Sequence, residues 1–273
     1  MSADRTLIER NNIRRCGSGE KTLLLAHGFG CDQNMWRFLV PLLEPDFQLV
    51  LFDYVGWGGS SLEAYDDKRY STLAGYAEDI NQICAGLNLN DVTIVGHSVS
   101  AMIGLLASIE RPERFSSLVM VCPSPCFLND PPEYHGGFEH QDIAELFDLL
   151  DKNFIGWAEY LAPLVIGQSG NEDFIRELTE SFCSTDPVIA RNFAQATFYS
   201  DLRGELALSR HPSLLLQSQS DTLASVEVGE YMHQHMPASV LRVLASKGHC
   251  LHMTDPEAVA AEIREFMGLP RSG

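Results

Sequence analysis

A short stretch near the middle of the chain combines an apolar strand, a sharp turn and a small-residue helix. The β-branched run at residues 92–95 leads directly into the sequence GHSVS at residues 96–100. A serine at the tip of a strand-to-helix turn needs a strained backbone, and bulky residues two positions away would block the turn. Gly96 and Ser100 are both small. The stretch predicts a nucleophile elbow with Ser98 as the nucleophile, although a helix that Ser98 merely caps is the alternative.

A second motif lies near the N-terminus, where the apolar run 23–26 leads into His27-Gly28-Phe29-Gly30. Acyl transfer places negative charge on a carbonyl oxygen, and two backbone N–H groups aimed at that oxygen supply much of the rate. We assign these two groups to Phe29 and to Val99, the residue after the candidate nucleophile. Alone, the motif is better explained as a glycine turn whose aromatic side chain fills the core. Because the motif occurs together with the elbow, we favour the loop that donates to an oxyanion over the glycine turn.

A serine hydroxyl needs a histidine base, and the histidine needs a buried carboxylate that fixes its tautomer. In sheets that carry this elbow, the chain order is nucleophile, acid, histidine. Asp221 and His249 each follow a late apolar run, and Gly248 gives His249 a tight loop. His252 is a rival base, and Asp201 is a rival acid that precedes the relevant strand. We favour Asp221 and His249.

The composition limits the partners and cofactors. With 37 acidic and 19 basic residues the net charge is −18, so the field of the molecule repels nucleic acid and anionic lipid. The sequence has no window of about 18 uncharged apolar residues, and its charged beginning lacks the core of a signal peptide, which predicts a cytoplasmic protein with no membrane partner. Seven cysteines without a CxxC pair argue against a disulfide framework and against zinc. We expect no metal and no cofactor.

Apolar runs alternate with helical patterns, which predicts an α/β protein with a parallel sheet and crossover helices. The predicted strands are 22–26, 48–52, 92–95, 117–122, 213–217 and 240–244, and the predicted helices include 74–87, 101–109 and 256–267. Between the fourth and fifth strands the periodicity is only helical, and prolines and glycines mark the start of this interval. We therefore divide the chain into a core of residues 1–130 and 205–273 and an inserted helical cap of residues 131–204.

The elbow, extended to Met102, and the motif at residues 27–30 resemble the α/β-hydrolase family that includes bacterial RsbQ and the plant karrikin and strigolactone receptors. Segments 128–130, 134–139 and 162–164 resemble the cap of that family, and the loop around His249 resembles that of RsbQ. The resemblance extends over nearly the whole chain. It implies an α/β-hydrolase fold, with a mostly parallel twisted sheet flanked by helices and a V-shaped cap of four helices over an apolar pocket.

The resemblance also implies which residues surround the substrate. Ser98, His249 and Asp221 occupy the triad positions. The implied pocket residues are His27, Phe29, Phe127, Phe138, Leu146, Trp157, Leu161 and Phe198. Each apolar residue among them is equally explained as ordinary core. Phe127 stands where many receptor-type relatives have a tyrosine.

Two functions from different classes follow. In the first, the protein is a serine hydrolase of a small hydrophobic ester or lactone, and the serine at position 98 argues against the aspartate-nucleophile chemistry of dehalogenases and epoxide hydrolases. In the second, ligand capture or slow turnover changes the cap, and a signalling partner such as a sensor phosphatase of the stress response, or a cyclase, responds. A non-catalytic binding protein is disfavoured because it leaves the triad unexplained.

Overall fold

The computed structural model describes residues 3–167 and 171–270. Within them one sheet contains the strands β1 (Arg14–Cys16), β2 (Lys21–Ala26), β3 (Phe47–Leu51), β4 (Val92–His97), β5 (Phe115–Val121), β6 (Ser213–Ser220) and β7 (Ser239–Lys247). Their order is β1-β3-β2-β4-β5-β6-β7. Every neighbouring pair is parallel except β1 with β3. The predicted α/β class and the six predicted strands are confirmed, with shifts of a few residues at their ends.

The described helices are α1 (Ala3–Arg10), α2 (Val40–Leu43), α3 (Leu73–Gly86), α4 (Val99–Glu110), α5 (His140–Lys152), α6 (Phe154–Ile166), α7 (Glu172–Ser184), α8 (Pro187–Phe198), α9 (Val226–His235), α10 (Leu251–Thr254) and α11 (Pro256–Phe266). Short 3₁₀ turns lie between several of them. None of these helices has the length and apolar content that crossing a bilayer requires.

The side chains of the central strands bury alternately on the two faces of the sheet. Leu23 and Leu25 of β2 lie in one hydrophobic cluster together with Trp36 and residues of α11. Leu24 and Ala26 of the same strand lie in a second cluster, with residues of α3 and α4. Successive residues of a strand point to opposite faces, so a strand covered by helices on both sides reads as one continuous apolar run. This is why the sequence pattern located these strands.

Two elements near the N-terminus were not predicted. The strand β1 is a three-residue edge strand in which Arg14 and Arg15 are exposed, and it pairs antiparallel with β3. Short, charged edge strands are a common protection against pairing between molecules, and they carry no apolar alternation. The helix α1 was also not predicted, because its sequence is mostly polar.

Four consecutive helices, α5 to α8, lie between β5 and β6 and span residues 140–198, inside the predicted insertion of 131–204. Helix α6 packs against α5 and α7, and α5 also packs against α8. The chain segments that enter and leave this group meet in a bridge between Cys126 and Asp201. The part of the insertion at residues 168–170 lies outside the described residues. The division into core and cap, and the V shape, stay predictions.

Candidate active site

Ser98 lies in the sharp turn between β4 and α4. Its backbone has φ 55° and ψ −123°, a conformation that a non-glycine residue adopts only under strain. A Cβ atom at position 96 would lie 2.4 Å from the backbone oxygen of Ser100 and 2.7 Å from the nitrogen of Ala101. Glycine is therefore required at position 96 for the turn to close. Ser98 makes no side-chain cap bond to α4, which removes the main alternative to a nucleophile.

Ser100 occupies the position where this motif usually has its second glycine. Its buried hydroxyl donates to the backbone oxygen of His27 and accepts from the hydroxyl of Tyr54 at 2.9 Å. The extra hydroxyl thus joins the elbow to the strand end at residue 27. A buried hydroxyl with both partners satisfied is tolerated, because no hydrogen bond is lost on leaving water.

Three side chains form a continuous hydrogen-bonded chain. The His249 Nε2 atom lies 2.7 Å from the Ser98 Oγ, and its Nδ1 lies 2.7 Å from an oxygen of Asp221. The carboxylate accepts from Nδ1–H, so Nε2 is left to accept the serine proton. This is the geometry that activates a serine hydroxyl.

The Asp221 carboxylate is held by its surroundings as well as by His249. Its second oxygen accepts from the backbone N–H groups of Leu223 at 2.8 Å and Ala224 at 3.2 Å. Burial by itself raises the pKa of Asp221, but the adjacent His249 and these hydrogen bonds outweigh it, and the net pKa is lower than that of an ordinary aspartate. The acid is therefore ionised, and it orients the imidazole.

The rival residues lie elsewhere. His252 is fully buried, its ring contacts Trp36 and His97, and neither of its ring nitrogens has a hydrogen-bond partner within the described chain. Asp201 forms an ion pair with Arg203 at 2.6 Å near the surface. Neither residue takes part in the hydrogen-bonded chain at Ser98.

The two N–H groups assigned to the oxyanion flank this site. Val99 is the first residue of α4, where the helix dipole favours negative charge. Phe29 precedes Gly30, whose φ of 75° and lack of a Cβ let the ring of Phe182 approach. Among the described hydrogen bonds, neither the Phe29 nor the Val99 N–H has a protein acceptor. Both N–H groups are therefore free to donate to a bound ligand, and their assignment to an oxyanion stays a prediction.

A narrow, mostly apolar cavity of about 30 Å³ opens at the nucleophile. It is lined by Phe29, Cys31, His97, Ser98, Phe127, Leu161, Val165, Phe182, Thr197, Phe198, Leu223 and His249. A larger cavity of about 380 Å³ lies farther out and shares three of these walls, Leu161, Phe198 and Leu223. We call them the inner and outer cavities.

Six of the eight predicted pocket residues line these cavities. Phe29, Phe127, Leu161 and Phe198 line the inner one, and Phe138, Leu146, Leu161 and Phe198 line the outer one. The sequence alone did not separate these two groups, because the separation depends on how the helices are arranged.

His27 and Trp157, the other two predicted pocket residues, line neither the inner nor the outer cavity. The His27 Nε2 accepts from the backbone N–H of Tyr54 at 3.1 Å, and its Nδ1–H donates to Gly28 O at 2.9 Å. Both ring nitrogens are therefore occupied by hydrogen bonds to the backbone. Burial lowers the pKa of His27. Trp157 is completely buried, with ring contacts to Phe29 and Phe182. It therefore supports Phe29 and Phe182, whose side chains line the inner cavity.

The predictions missed six residues that line the inner cavity: Cys31, His97, Val165, Phe182, Thr197 and Leu223. Leu223 lies two residues after Asp221, and Thr197 is next to Phe198, so their positions in the chain gave a usable signal. Phe182 lies on the apolar face of an amphipathic helix. Periodicity identified that face as buried but gave no information about what it faces.

The C-terminal end of α6 contacts both loops that carry the acid and the base. The Leu164 carbonyl accepts from the Thr222 hydroxyl, and the Val165 carbonyl accepts from the backbone N–H of His249, both at 2.8 Å. The last carbonyls of a helix have no partner within the helix. Here two of them bond to the loops that carry Asp221 and His249, which joins the helical segment directly to the candidate site.

Within residues 3–167 and 171–270, two groups of side chains offer ligand atoms that lie within 4.8 Å of one another. One contains Cys122, Asp221 and His249, of which the last two are already bonded to each other in the chain that ends at Ser98. The other contains His97, Cys250 and His252, all buried. We assign the donors of the first group to acid–base chemistry and not to metal binding.

Comparison with known proteins agrees with this site and fold. Residues 21–256 match the family model described as the alpha/beta hydrolase fold. A karrikin insensitive 2 receptor from Petunia hybrida is 41% identical over 252 residues, which cover 92% of this chain and 93% of the receptor. A strigolactone esterase from Arabidopsis thaliana is 37% identical over 266 residues, covering 97% and 98%.

Among solved structures, a hydrolase from Oleispira antarctica superposes with a TM-score of 0.96 at 52% identity, covering 98% of both chains. The fold and the strand-end site define an α/β hydrolase. The chain belongs to that family, and its similarity to the plant karrikin and strigolactone proteins confirms that part of the predicted resemblance.

Proposed function

We propose that the protein is a serine hydrolase of small hydrophobic esters or lactones. The observation that carries this proposal is the hydrogen-bonded chain from Ser98 through His249 to the buried Asp221, which ends in an apolar cavity. Relatives that are named esterase or hydrolase support it.

In the proposed reaction Ser98 Oγ attacks the substrate carbonyl carbon while His249 Nε2 takes the serine proton. The resulting imidazolium is stabilised by Asp221, and the oxyanion is bound by the N–H groups of Phe29 and Val99. The intermediate collapses as His249 donates its proton to the leaving alcohol oxygen, which gives an acyl-serine. Water, deprotonated by the same histidine, then releases the acid and restores Ser98.

The walls of the site support a small, uncharged and apolar substrate. The inner cavity is about 30 Å³, so the part of the substrate that lies beyond the scissile carbonyl in this cavity must be short. The outer cavity, at about 380 Å³, accommodates a larger group. The net charge of −18 disfavours anionic substrates.

The test compares the wild-type protein with Ser98→Ala on short p-nitrophenyl esters. We expect the variant to lose at least about 10³-fold in kcat, since removal of a triad nucleophile leaves only binding and oxyanion stabilisation. Ser108→Ala is the matched control, because Ser108 is a buried serine on the same helix that bonds only to Leu105 O. Equal turnover by the wild-type and Ser98→Ala proteins would disprove the assignment of the nucleophile.

We also propose a signalling role of the RsbQ type, in which the cytoplasmic protein reports a captured or hydrolysed ligand to a protein partner such as a sensor phosphatase or cyclase. Relatives named as receptors favour it, and so do the hydrogen bonds that join α6 to the two catalytic loops. The alternative to signalling by turnover is ligand sensing in which hydrolysis is slow or incidental.

Complementation of a deletion strain by wild-type and Ser98→Ala genes separates these roles. If turnover is the signal, the catalytically dead variant fails to restore the response. If capture is sufficient, the variant restores it. A deletion strain with no signalling phenotype contradicts the role altogether.

A further inference from the structure

The residue that precedes the nucleophile, His97, has no part in the reaction described above. It ends β4, and its side chain is buried. Its Nε2 atom lies 2.9 Å from the backbone oxygen of His249. Because a carbonyl oxygen only accepts hydrogen bonds, Nε2 must carry the proton. Burial, together with the neighbouring His249, lowers the pKa of His97 to about 3, so the ring stays neutral near physiological pH.

The opposite nitrogen of His97 faces the loop that carries the oxyanion donor. A Cβ atom at Gly28 would lie 2.3 Å from the His97 Nδ1. The loop therefore passes directly against the imidazole, and glycine is needed at position 28 for this approach. Thus His97 is covalently next to Ser98, packs against the oxyanion loop, and donates to the backbone of the base.

The His249 peptide groups are held from two directions. The N–H of His249 donates to Val165 O at 2.8 Å, from the helical segment, and its C=O accepts from His97 on the sheet side. The rings of His97 and His249 also contact each other, with 5.0 Å between their centroids. Loss of the His97 donor leaves a carbonyl without its buried partner and removes the anchor on the sheet side.

We propose that His97 is a positioning residue for the reaction: its Nε2–H fixes the backbone of His249, and thereby keeps the imidazole at hydrogen-bond distance from Ser98. This inference rests on the proposed hydrolase function. It assigns the effect to kcat, because the position of the base governs proton transfer in the transition state, and His97→Phe keeps a ring at this place in the wall of the inner cavity.

The experiment compares His97→Phe, which keeps a ring without the donor, with His97→Gln, whose side-chain amide restores an N–H near the same place. The control is His252→Phe, an equally buried ring in contact with His97 that makes no hydrogen bond to the site. We expect His97→Phe to lose about 10–100-fold in kcat with KM changed less than about twofold. We expect His97→Gln to recover most of that loss and His252→Phe to stay within about threefold of wild type.

Active-site titration with a fluorophosphonate separates positioning from misfolding. In His97→Phe the labelled fraction stays complete while the labelling rate falls. Wild-type kcat in folded His97→Phe, a loss that appears only in KM, or an equal loss in His252→Phe would each overturn the proposal. So would a failure of His97→Gln to recover activity while it remains folded and fully labelled.

Proton NMR tests the same idea without a substrate. The downfield resonance of the proton between His249 and Asp221 reports the alignment of the base. We expect it to shift or broaden in His97→Phe and to persist in His252→Phe. If the wild-type protein hydrolyses no ester, the proposed hydrolase function fails, while this resonance still shows whether His97 positions His249. An unchanged resonance in His97→Phe contradicts the positioning role.

Discussion

The two sides of the active site are built in different ways. On the sheet side, Ser98, Asp221 and His249 stand on loops at strand ends and are joined by hydrogen bonds of 2.7 Å. On the side of the helical segment α5–α8, the walls are aromatic and aliphatic side chains, and the hydrogen bonds to the catalytic loops come from the end of α6. Directional bonds fix the chemistry, and packing shapes the space for the substrate.

The largest expected effect tests the sheet side. Asp221→Asn keeps the size of the acid but removes the charge that orients and stabilises His249, so we expect kcat to fall about 10⁴-fold, as in other triads. Steady-state kinetics on short esters measure it. Asp201→Asn is the control, because that carboxylate lies in a surface ion pair with Arg203. If kcat of Asp221→Asn falls by less than tenfold, another group orients the base.

The helical side should respond mainly in stability. Trp157→Ala removes a completely buried ring that packs on Phe29 and Phe182. We expect a loss of about 3–5 kcal/mol in the free energy of unfolding, from lost burial and the cavity left behind. Urea denaturation measures it, with the 58% exposed Tyr160 on the same helix as the Tyr160→Ala control. Similar losses in both variants would contradict the supporting role of Trp157.

A smaller effect is expected where the elbow joins the neighbouring strand end. Ser100→Ala removes the hydroxyl that bonds to His27 O and Tyr54. The unpaired buried groups should cost about 1–3 kcal/mol of stability. Thermal and urea unfolding of Ser100→Ala, of Tyr54→Phe and of the double variant Ser100→Ala/Tyr54→Phe provide the measurement. If the double variant is no more stable than the sum of the single changes predicts, the two hydroxyls are not coupled.

The smallest expected effect concerns an ion pair that links the two sides. Arg37 follows the 3₁₀ turn Gln33–Trp36, between β2 and β3, and bonds through both terminal nitrogens to Glu177 of α7, at 2.7 and 2.6 Å. Both side chains are partly exposed, so replacing either should cost no more than about 1 kcal/mol. A double-mutant cycle of Arg37→Ala and Glu177→Ala measures the coupling. A much larger value would show that the helical side also depends on directional polar contacts.

The difference between the two sides also separates what could be predicted from what could not. Ser98, Asp221 and His249 were chosen from motif, chain order and position after apolar runs, and the structure brings them together. Strand ends of a parallel sheet converge at one edge, so position after a strand carries spatial information. The short edge strand β1 was not predicted, because its charged residues carry no apolar pattern.

On the helical side, prediction was weaker for a physical reason. Trp157 and Phe182 both lie on buried faces, but only Phe182 reaches the inner cavity. A helical repeat identifies which face is buried and not what it faces, because apolar contacts have no preferred partner. The placement of His27 outside both cavities could not be predicted for a related reason, since its hydrogen bonds to its own loop and to Tyr54 are not visible in the sequence.

By itself, the sequence determined the fold class, the strained turn at Ser98, and a candidate acid and base in the order that this sheet requires. Those features follow from local sterics and from strand order, which a chain carries in its residues. Only the tertiary structure decided which apolar side chains form the cavity walls, that α6 holds the catalytic loops, and that His97 donates to His249. These contacts join residues far apart in the chain, and their geometry is set by packing.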